Sequence, residues 1–257
     1  MLNLSLYNNE ILEHYKSNSQ IARRLTEDWC SSEMYCPTCL NENLSNHPNN
    51  QKVSDFFCEH CKNEFQLKSS SNKFGTRVTD GAYGTMMEFI NSNRTPNFLL
   101  LHYSKDEWIV KNMFLIPKFF ISSSAIEVRN ALSATARRAG WVGCNILLTK
   151  IPENGKIPII KNERIIDKAE VHKNWKKMNF LNSKKPDLRG WTLDVLKSIE
   201  DLRKDEFTLK DAYGNKKYLM KLHPDNHHIE AKIRQQLQIL RDNNIIQFTS
   251  KGKYKML

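Results

Sequence analysis

The 257-residue chain has no uncharged apolar run near the roughly 20 residues that a bilayer span requires, which excludes an integral membrane helix. Its first residues, MLNLSLYNNEILEHYK, lack the basic start, apolar stretch and small-residue cleavage site of a secretory leader, so a cytoplasmic location is expected. No Gly-rich phosphate loop and no Ser/His/Asp pattern stands out, which argues against a nucleotide cofactor and against acyl chemistry. Acidic residues are the scarcer charge, 28 against 39 basic, giving a net charge of +11 and a pI near 9.3. Such an excess speaks of partners rather than fold, and a polyanion is the natural one, although moderate basicity also serves solubility alone. What remains is a soluble globular chain, long enough for one large or two modest domains with real cores.

Six cysteines are present, and the spacing of four explains them. Cys36-Pro-Thr-Cys39 and Cys58-Glu-His-Cys61 are two CxxC knuckles separated by 18 residues. Each knuckle turns two thiolates to one side of a tight turn, and two knuckles complete a closed tetrahedral four-sulfur shell for structural zinc. A pair of redox motifs is the competing reading, and it needs no convergence of all four. His60 lies inside the second knuckle and reads as a solvent-facing neighbour, while Cys30 and Cys144 read as small buried hydrophobes.

Apolar positions from Asn9 to Trp29, broken by Ser-Asn-Ser, predict two helices. A polar, Asn-rich loop follows from Asn41 to Gln51. Val53 to Phe57 and Glu64 to Lys68 alternate with period two and predict a hairpin whose turn is the second knuckle. On such a strand Glu64, Gln66 and Lys68 share one face, and zinc at the turn would fix the register so that Asp55 comes opposite Gln66 and Lys68. Surface residues of a half-exposed strand give the same pattern. Asp80 to Asn91 is predicted as a helix with Ala82, Met86, Phe89 and Ile90 inward, then strands over Asn97–Tyr103 and Trp108–Ile116. An Asp on one strand and Gln-x-Lys on the next, set within helix, hairpin, helix and strand, resembles the PD-(D/E)xK nuclease superfamily.

A longer likeness runs through Tyr15-Lys-Ser-Asn-Ser-Gln20, Leu25-Thr-Glu-Asp-Trp29, both knuckles, Asp55-Phe56, Leu67-Lys68 and Asp80-Gly-Ala-Tyr83. It continues through Thr135-Ala-Arg-Arg-Ala-Gly-Trp141, Gly190-Trp-Thr192 and Lys232-Ile-Arg-Gln-Gln-Leu-Gln-Ile-Leu-Arg241. Over these stretches the chain resembles the methyl-directed restriction endonucleases of the DpnI type. The resemblance implies a magnesium-dependent enzyme that cuts double-stranded DNA at GATC carrying N6-methyladenine, with a nuclease domain and a winged helix that both bind DNA. It assigns catalysis to Asp55, Gln66 and Lys68, and magnesium to Asp55, Gln66 and the Leu67 carbonyl. The family has Glu where this chain has Gln66, an amide without charge that should hold a hard cation more weakly. Glu64, about 6.6 Å along the strand, is an auxiliary carboxylate candidate.

Arg137 and Arg138 stand beside Trp141, a basic pair next to a flat ring, where the likeness places DNA contacts. From the residues alone this is a helix end with an exposed basic pair and a buried Trp. A boundary is expected near Leu181–Asp187, giving a nuclease domain over 1–182, with the zinc knuckles at 36–61, and a winged helix over 183–257. Thr192 and Thr208 are expected to cap helices. Ile229, Ile233, Leu237 and Leu240 mark a third helix, and Ile245–Phe248 with Lys253–Leu257 a closing hairpin. Residues 216–257 hold nine basic and three acidic residues, against five and seven over 187–215, so the excess gathers on the presumed reading helix and wing. Arg234, Gln235 and Gln238 are expected at base edges and Lys251 and Lys253 at phosphates. The fold expected is α/β (α+β), a PD-(D/E)xK core with an inserted four-Cys zinc site and a C-terminal winged helix, in a monomer with no membrane partner. A zinc-containing regulator that binds methylated DNA without cutting, and an RNA- or protein-binding module, are the other functions carried.

Overall fold

In the computed structural model, residues 2–6, 17–47 and 54–257 are described. In chain order the elements are α1 (Asn18–Glu33), β1 (Ser45–Asn46), β2 (Phe56–Phe57), β3 (Glu64–Ser70), β4 (Arg77–Ala82), α2 (Tyr83–Asn91), β5 (Asn97–Ser104) and β6 (Ile109–Ile116). There follow β7 (Ile126–Val128), β8 (Gly143–Leu147), β9 (Ile157–Lys161), β10 (Arg164–Ile165), α3 (Lys168–Met178) and α4 (Pro186–Glu200). The chain ends with β11 (Glu206–Thr208), α5 (Leu209–Gly214), α6 (Lys216–Leu222), α7 (Ile229–Asp242), β12 (Ile246–Ser250) and β13 (Lys253–Met256). The chain gathers into two compact units: Met1–Gly75, Thr95–Lys118 and Asn154–Asn179 form the first, and Thr76–Arg94, Phe119–Glu153 and Phe180–Leu257 the second.

The first unit is built on a seven-stranded sheet in the order β1-β2-β3-β5-β6-β9-β10, antiparallel except for the parallel pair β3 and β5. β5 is its most apolar strand, with Asn97 to Leu101 all buried, as a central strand covered on both faces must be. One face packs its odd-numbered side chains, Phe65, Leu99, Leu101, Met113, Leu115, Ile157 and Ile159, into a core with Ile21, Leu25 and Trp29 of α1 and Val171 of α3. The expected second helix before Trp29 is α1. The first, carrying Ile11, Leu12 and Tyr15, lies outside the described residues, as does Val53. The Asn-rich loop is not all loop, because Ser45 and Asn46 pair with Phe57 and Phe56.

The second unit holds a three-stranded sheet, β4-β8-β7, and the C-terminal elements with a second such sheet, β11-β13-β12. The helix predicted from Asp80 starts instead at Tyr83. Asp80 and Ala82 pair with Cys144 and Gly143 in β4, and only Met86 and Ile90 of α2 are fully buried. Thr192 does not cap. Pro186, whose fixed φ suits the first helical position, starts α4 six residues earlier. Thr192 is thus interior, its hydroxyl 2.9 Å from the Leu188 carbonyl and 2.8 Å from the side chain of Gln236, a fully buried amide of α7. Thr208 does cap, in a reciprocal box with Asp211. Four helices, rather than three, precede the hairpin, because Asn215 separates α5 from α6. Ile229, Ile233, Leu237 and Leu240 of α7 are buried as the periodicity requires.

Candidate functional site

The two knuckles fold by the same rule. The Leu40 amide donates to the Cys36 carbonyl and the Cys36 amide to Asn41 (both 2.8 Å), just as Lys62 donates to Cys58 and Cys58 to Asn63 (both 2.9 Å). Each turn needs a left-handed residue after its second cysteine, and Leu40 (φ 65°) and Lys62 (φ 58°) adopt it. The repeat Cys-x-x-Cys-x-Asn was visible in the sequence and escaped reading there. The two turns face each other, so that Cys36 and Cys61 Sγ lie 3.6 Å apart, Cys39 and Cys58 Sγ also 3.6 Å, and all four sulfurs within 4.8 Å of one another. Sulfurs about 2.3 Å from a tetrahedral ion stand about 3.8 Å from each other, so the cluster has the dimensions to hold a metal ion. Among the described residues it is the one such group of His, Cys, Asp and Glu. His60 is exposed and outside it, and Cys30 and Cys144 are buried elsewhere.

Hydrogen bonding tunes the cluster. Burial pushes the Cys36 thiol up. Burial pushes Cys61 the same way, but hydrogen bonds from Thr38 (3.2 Å) and Asn63 (3.3 Å) outweigh it and bring that thiol down to about 6. These hydrogen bonds favour the thiolate at Cys61, the form that binds metal.

The second knuckle joins β2 to β3 as their turn, with Phe56 facing Phe65 and Phe57 facing Glu64. The expected strand does not run through Asp55. Its amide donates to the carbonyl of Phe65 (2.9 Å), so Asp55 and Phe56 both answer to one residue of β3, as in a bulge. Its carboxylate takes over a rung of the ladder, Oδ2 accepting from the Leu67 amide at 2.8 Å. A strand residue turns its N–H and C=O to the same edge, so the Leu67 carbonyl faces the Asp55 side as well. Gln66 and Lys68 share the face opposite Phe65, and both are half-buried. Asp55, Gln66, Leu67 and Lys68 are therefore adjacent on one hairpin, whose turn carries two of the four clustered cysteines. The Asp55 carboxylate, the Gln66 amide oxygen and the Leu67 carbonyl are oxygen donors with one formal charge among them, a set that suits a hard cation such as magnesium, and Lys68 adds an ammonium beside them.

His47 was not singled out from sequence, since it stands in a polar loop. Its amide donates to the Asp55 carbonyl (3.1 Å), its ring lies 4.6 Å from that of Phe57, and Nε2 is 3.8 Å from Glu64 Oε1.

Arg137, Arg138 and Trp141 lie on the long connection of the β7–β8 hairpin, not on a helix end. The Leu132 amide donates to the Trp141 carbonyl (2.9 Å) and the Gly140 amide to Leu132 (3.0 Å). Both arginines are exposed, Trp141 is half-buried, and the Arg138 guanidinium sits 4.8 Å above its ring. The ring folds back onto Gly143, where a Cβ would fall 2.8 Å from Trp141 Cζ3 and Cη2. Only glycine leaves that space.

On α7, Arg234, Gln235 and Gln238 are exposed opposite the buried stripe, and Arg234 donates to the Tyr213 hydroxyl. Lys251 and Lys253 are exposed at the β12–β13 tip, which turns through Gly252 (φ 71°). Behind α7, Lys232 lies 5.8 Å over the Trp191 ring. Trp191 in turn stacks at 3.7 Å on His223, whose Nε2 is 2.8 Å from the buried Asp194 carboxylate.

No described helix is long and apolar enough to cross a membrane. Residues 187–256 match the Dam-replacing HTH domain and residues 2–184 the Dam-replacing family of DpnI, so the chain belongs to that family, with its helix-turn-helix domain at the C-terminal side.

Proposed function

We propose that the chain is a methylation-dependent type II restriction endonuclease that hydrolyses phosphodiester bonds of double-stranded DNA at GATC bearing N6-methyladenine. The observation that carries this reading is the Asp55 carboxylate held on the Leu67 amide beside Gln66 and Lys68, in a chain of the DpnI family. Asp55, Gln66 and the Leu67 carbonyl would hold magnesium, which supplies positive charge against the scissile phosphate. Lys68 stabilises charge developing on that phosphate, and the Leu67 amide fixes the orientation of the carboxylate. Zinc at Cys36, Cys39, Cys58 and Cys61 keeps the hairpin in register.

The functional division follows the 182/183 boundary, a nuclease part followed by a winged helix. Arg234, Gln235 and Gln238 read base edges from the major groove, Lys251 and Lys253 hold phosphates, and Arg137, Arg138 and Trp141 contribute a second DNA surface. The enzyme acts as a cytoplasmic monomer. Incubation with methylated and unmethylated GATC plasmid, with and without magnesium, tests the reading. Cutting of the methylated plasmid alone, only with magnesium, is expected. Asp55→Ala is expected to abolish cutting and keep DNA affinity, and retained cutting would refute the site. Gln66 favours one other reading, a methyl-specific DNA-binding regulator, which would bind the methylated duplex and never cut it.

A further inference from the structure

The even-numbered face of the seven-stranded sheet carries more than Gln66 and Lys68. Registered neighbours share a face, and Lys68 is in register with Leu100, Leu100 with Phe114, and Phe114 with Pro158. At about 4.8 Å per strand, Phe114 lies about 10 Å from Lys68. At its far end this row opens into a cavity of about 390 Å³, within the range of small-molecule sites.

The floor is apolar, formed by Phe114, Pro158 and Ile160, with the Phe74 ring edge-on to Phe114 at 6.0 Å. Around it stand Lys73, Lys156 and Lys161, and among the described residues no acidic side chain lines the cavity. The rim is built and held. The β9–β10 turn places Asn162 (φ 49°) and Glu163 (φ 64°) in the left-handed region, a strained choice for residues other than glycine. The Asn162 amide donates to Asn112 Oδ1 (2.9 Å), Glu163 pairs with Lys111 (2.8 Å), and Asn112 Nδ2 contacts His102 Nδ1 (3.1 Å). Burial, then Lys73 and Lys111, lowers the His102 pKa, so the imidazole is a neutral wall and the lysines supply the charge.

We propose that this cavity is a nucleotide pocket, taking the base of one deoxynucleotide against Phe74 and Phe114 and its phosphate at Lys73, Lys156 and Lys161. An aromatic, apolar floor flanked by three lysines matches a base joined to a phosphate, and neither half alone uses the whole site. Assigning that nucleotide to the strand being cut rests on the nuclease reading, whereas the pocket itself does not.

Calorimetry of the zinc-loaded full chain with deoxyadenosine 5′-monophosphate, deoxyadenosine and inorganic phosphate tests it. The monophosphate should bind at least fivefold more tightly than either fragment. Lys161→Glu at the rim and Phe74→Ala at the half-buried edge of the floor should each weaken it at least fivefold with the fold kept, as read by circular dichroism. No binding at millimolar monophosphate, equal binding of inorganic phosphate, or indifference to both substitutions overturns the pocket. A methylated GATC duplex separates the two sources of nucleotide. Weaker duplex binding by Lys161→Glu, in an Asp55→Ala background, supports a strand nucleotide, and unchanged duplex binding overturns that placement in favour of a free one. Failure of the nuclease reading would show as no cutting of the methylated plasmid by the unsubstituted chain with magnesium, and would leave the monophosphate titration standing.

Discussion

At the scale of single residues, the chemistry of the hairpin turns on one amide. Gln66 offers an oxygen without charge, so Asp55 is the one carboxylate of the proposed magnesium set. Gln66→Glu is expected to tighten divalent binding by on the order of tenfold, because affinity for hard cations follows ligand charge. Manganese titration followed by electron spin resonance would measure this without reference to turnover, and unchanged affinity would remove Gln66 from the coordination set. Lys62 offers a second residue-scale test, since its φ of 58° belongs to the left-handed region that disfavours side chains. Lys62→Gly should stabilise the protein by about 1 kcal/mol, read from a thermal melt of the zinc-loaded form. The repeated Asn41 and Asn63 show why part of the centre went unread. Their carbonyls close the two backbone turns and the Asn63 side chain also donates to Cys61 Sγ, roles carried by a repeat of six residues rather than by a hydrophobic period.

Elements were legible where their chemistry is local or strictly periodic, and obscure where a tertiary partner decides. The α7 stripe, the Thr208 cap and the CxxC knuckles follow from spacing within a few residues. The second half of β4, from Asp80, was absorbed into an expected helix because RVTDGA buries only Val78 and Asp80 fully, too short an alternation to outweigh the apolar run after it. Thr192 resembles a cap, yet Pro186 had already begun the helix. The Ser133–Ala139 stretch is rich in helix formers, and hydrogen bonds from Leu132 and Gly140 across the connection still make it the end of a hairpin. Its shape depends on Gly143. A methyl there meets the Trp141 ring, so Gly143→Ala should displace the ring, cost about 1–3 kcal/mol, shift tryptophan fluorescence and weaken DNA binding. Unaltered fluorescence with full affinity would mean that the ring position is immaterial.

For the molecule as a whole, all four cluster thiols belong to the first compact unit and none to the second. Stripping the metal with a chelator is therefore expected to have a divided effect. Structural zinc contributes roughly 10–16 kcal/mol of apparent binding energy in small modules, so amide protection should vanish over residues 34–47 and 54–70 and cutting with it. Protection of α4 and α7 should persist. Hydrogen exchange with mass spectrometry resolves the two regions, and full protection of 34–47 and 54–70 without metal would show the cluster to be dispensable.

The twin knuckle turns also set an order of assembly. Each closes on its own carbonyl and amide without help from the other, so an arriving ion meets two prepared pincers rather than four scattered thiols. Because Asp55 and Leu67 hang from the arms of the second pincer, the proposed cutting edge is expected to take shape as the ion is captured. A cell starved of zinc would then accumulate protein that is present but blunt.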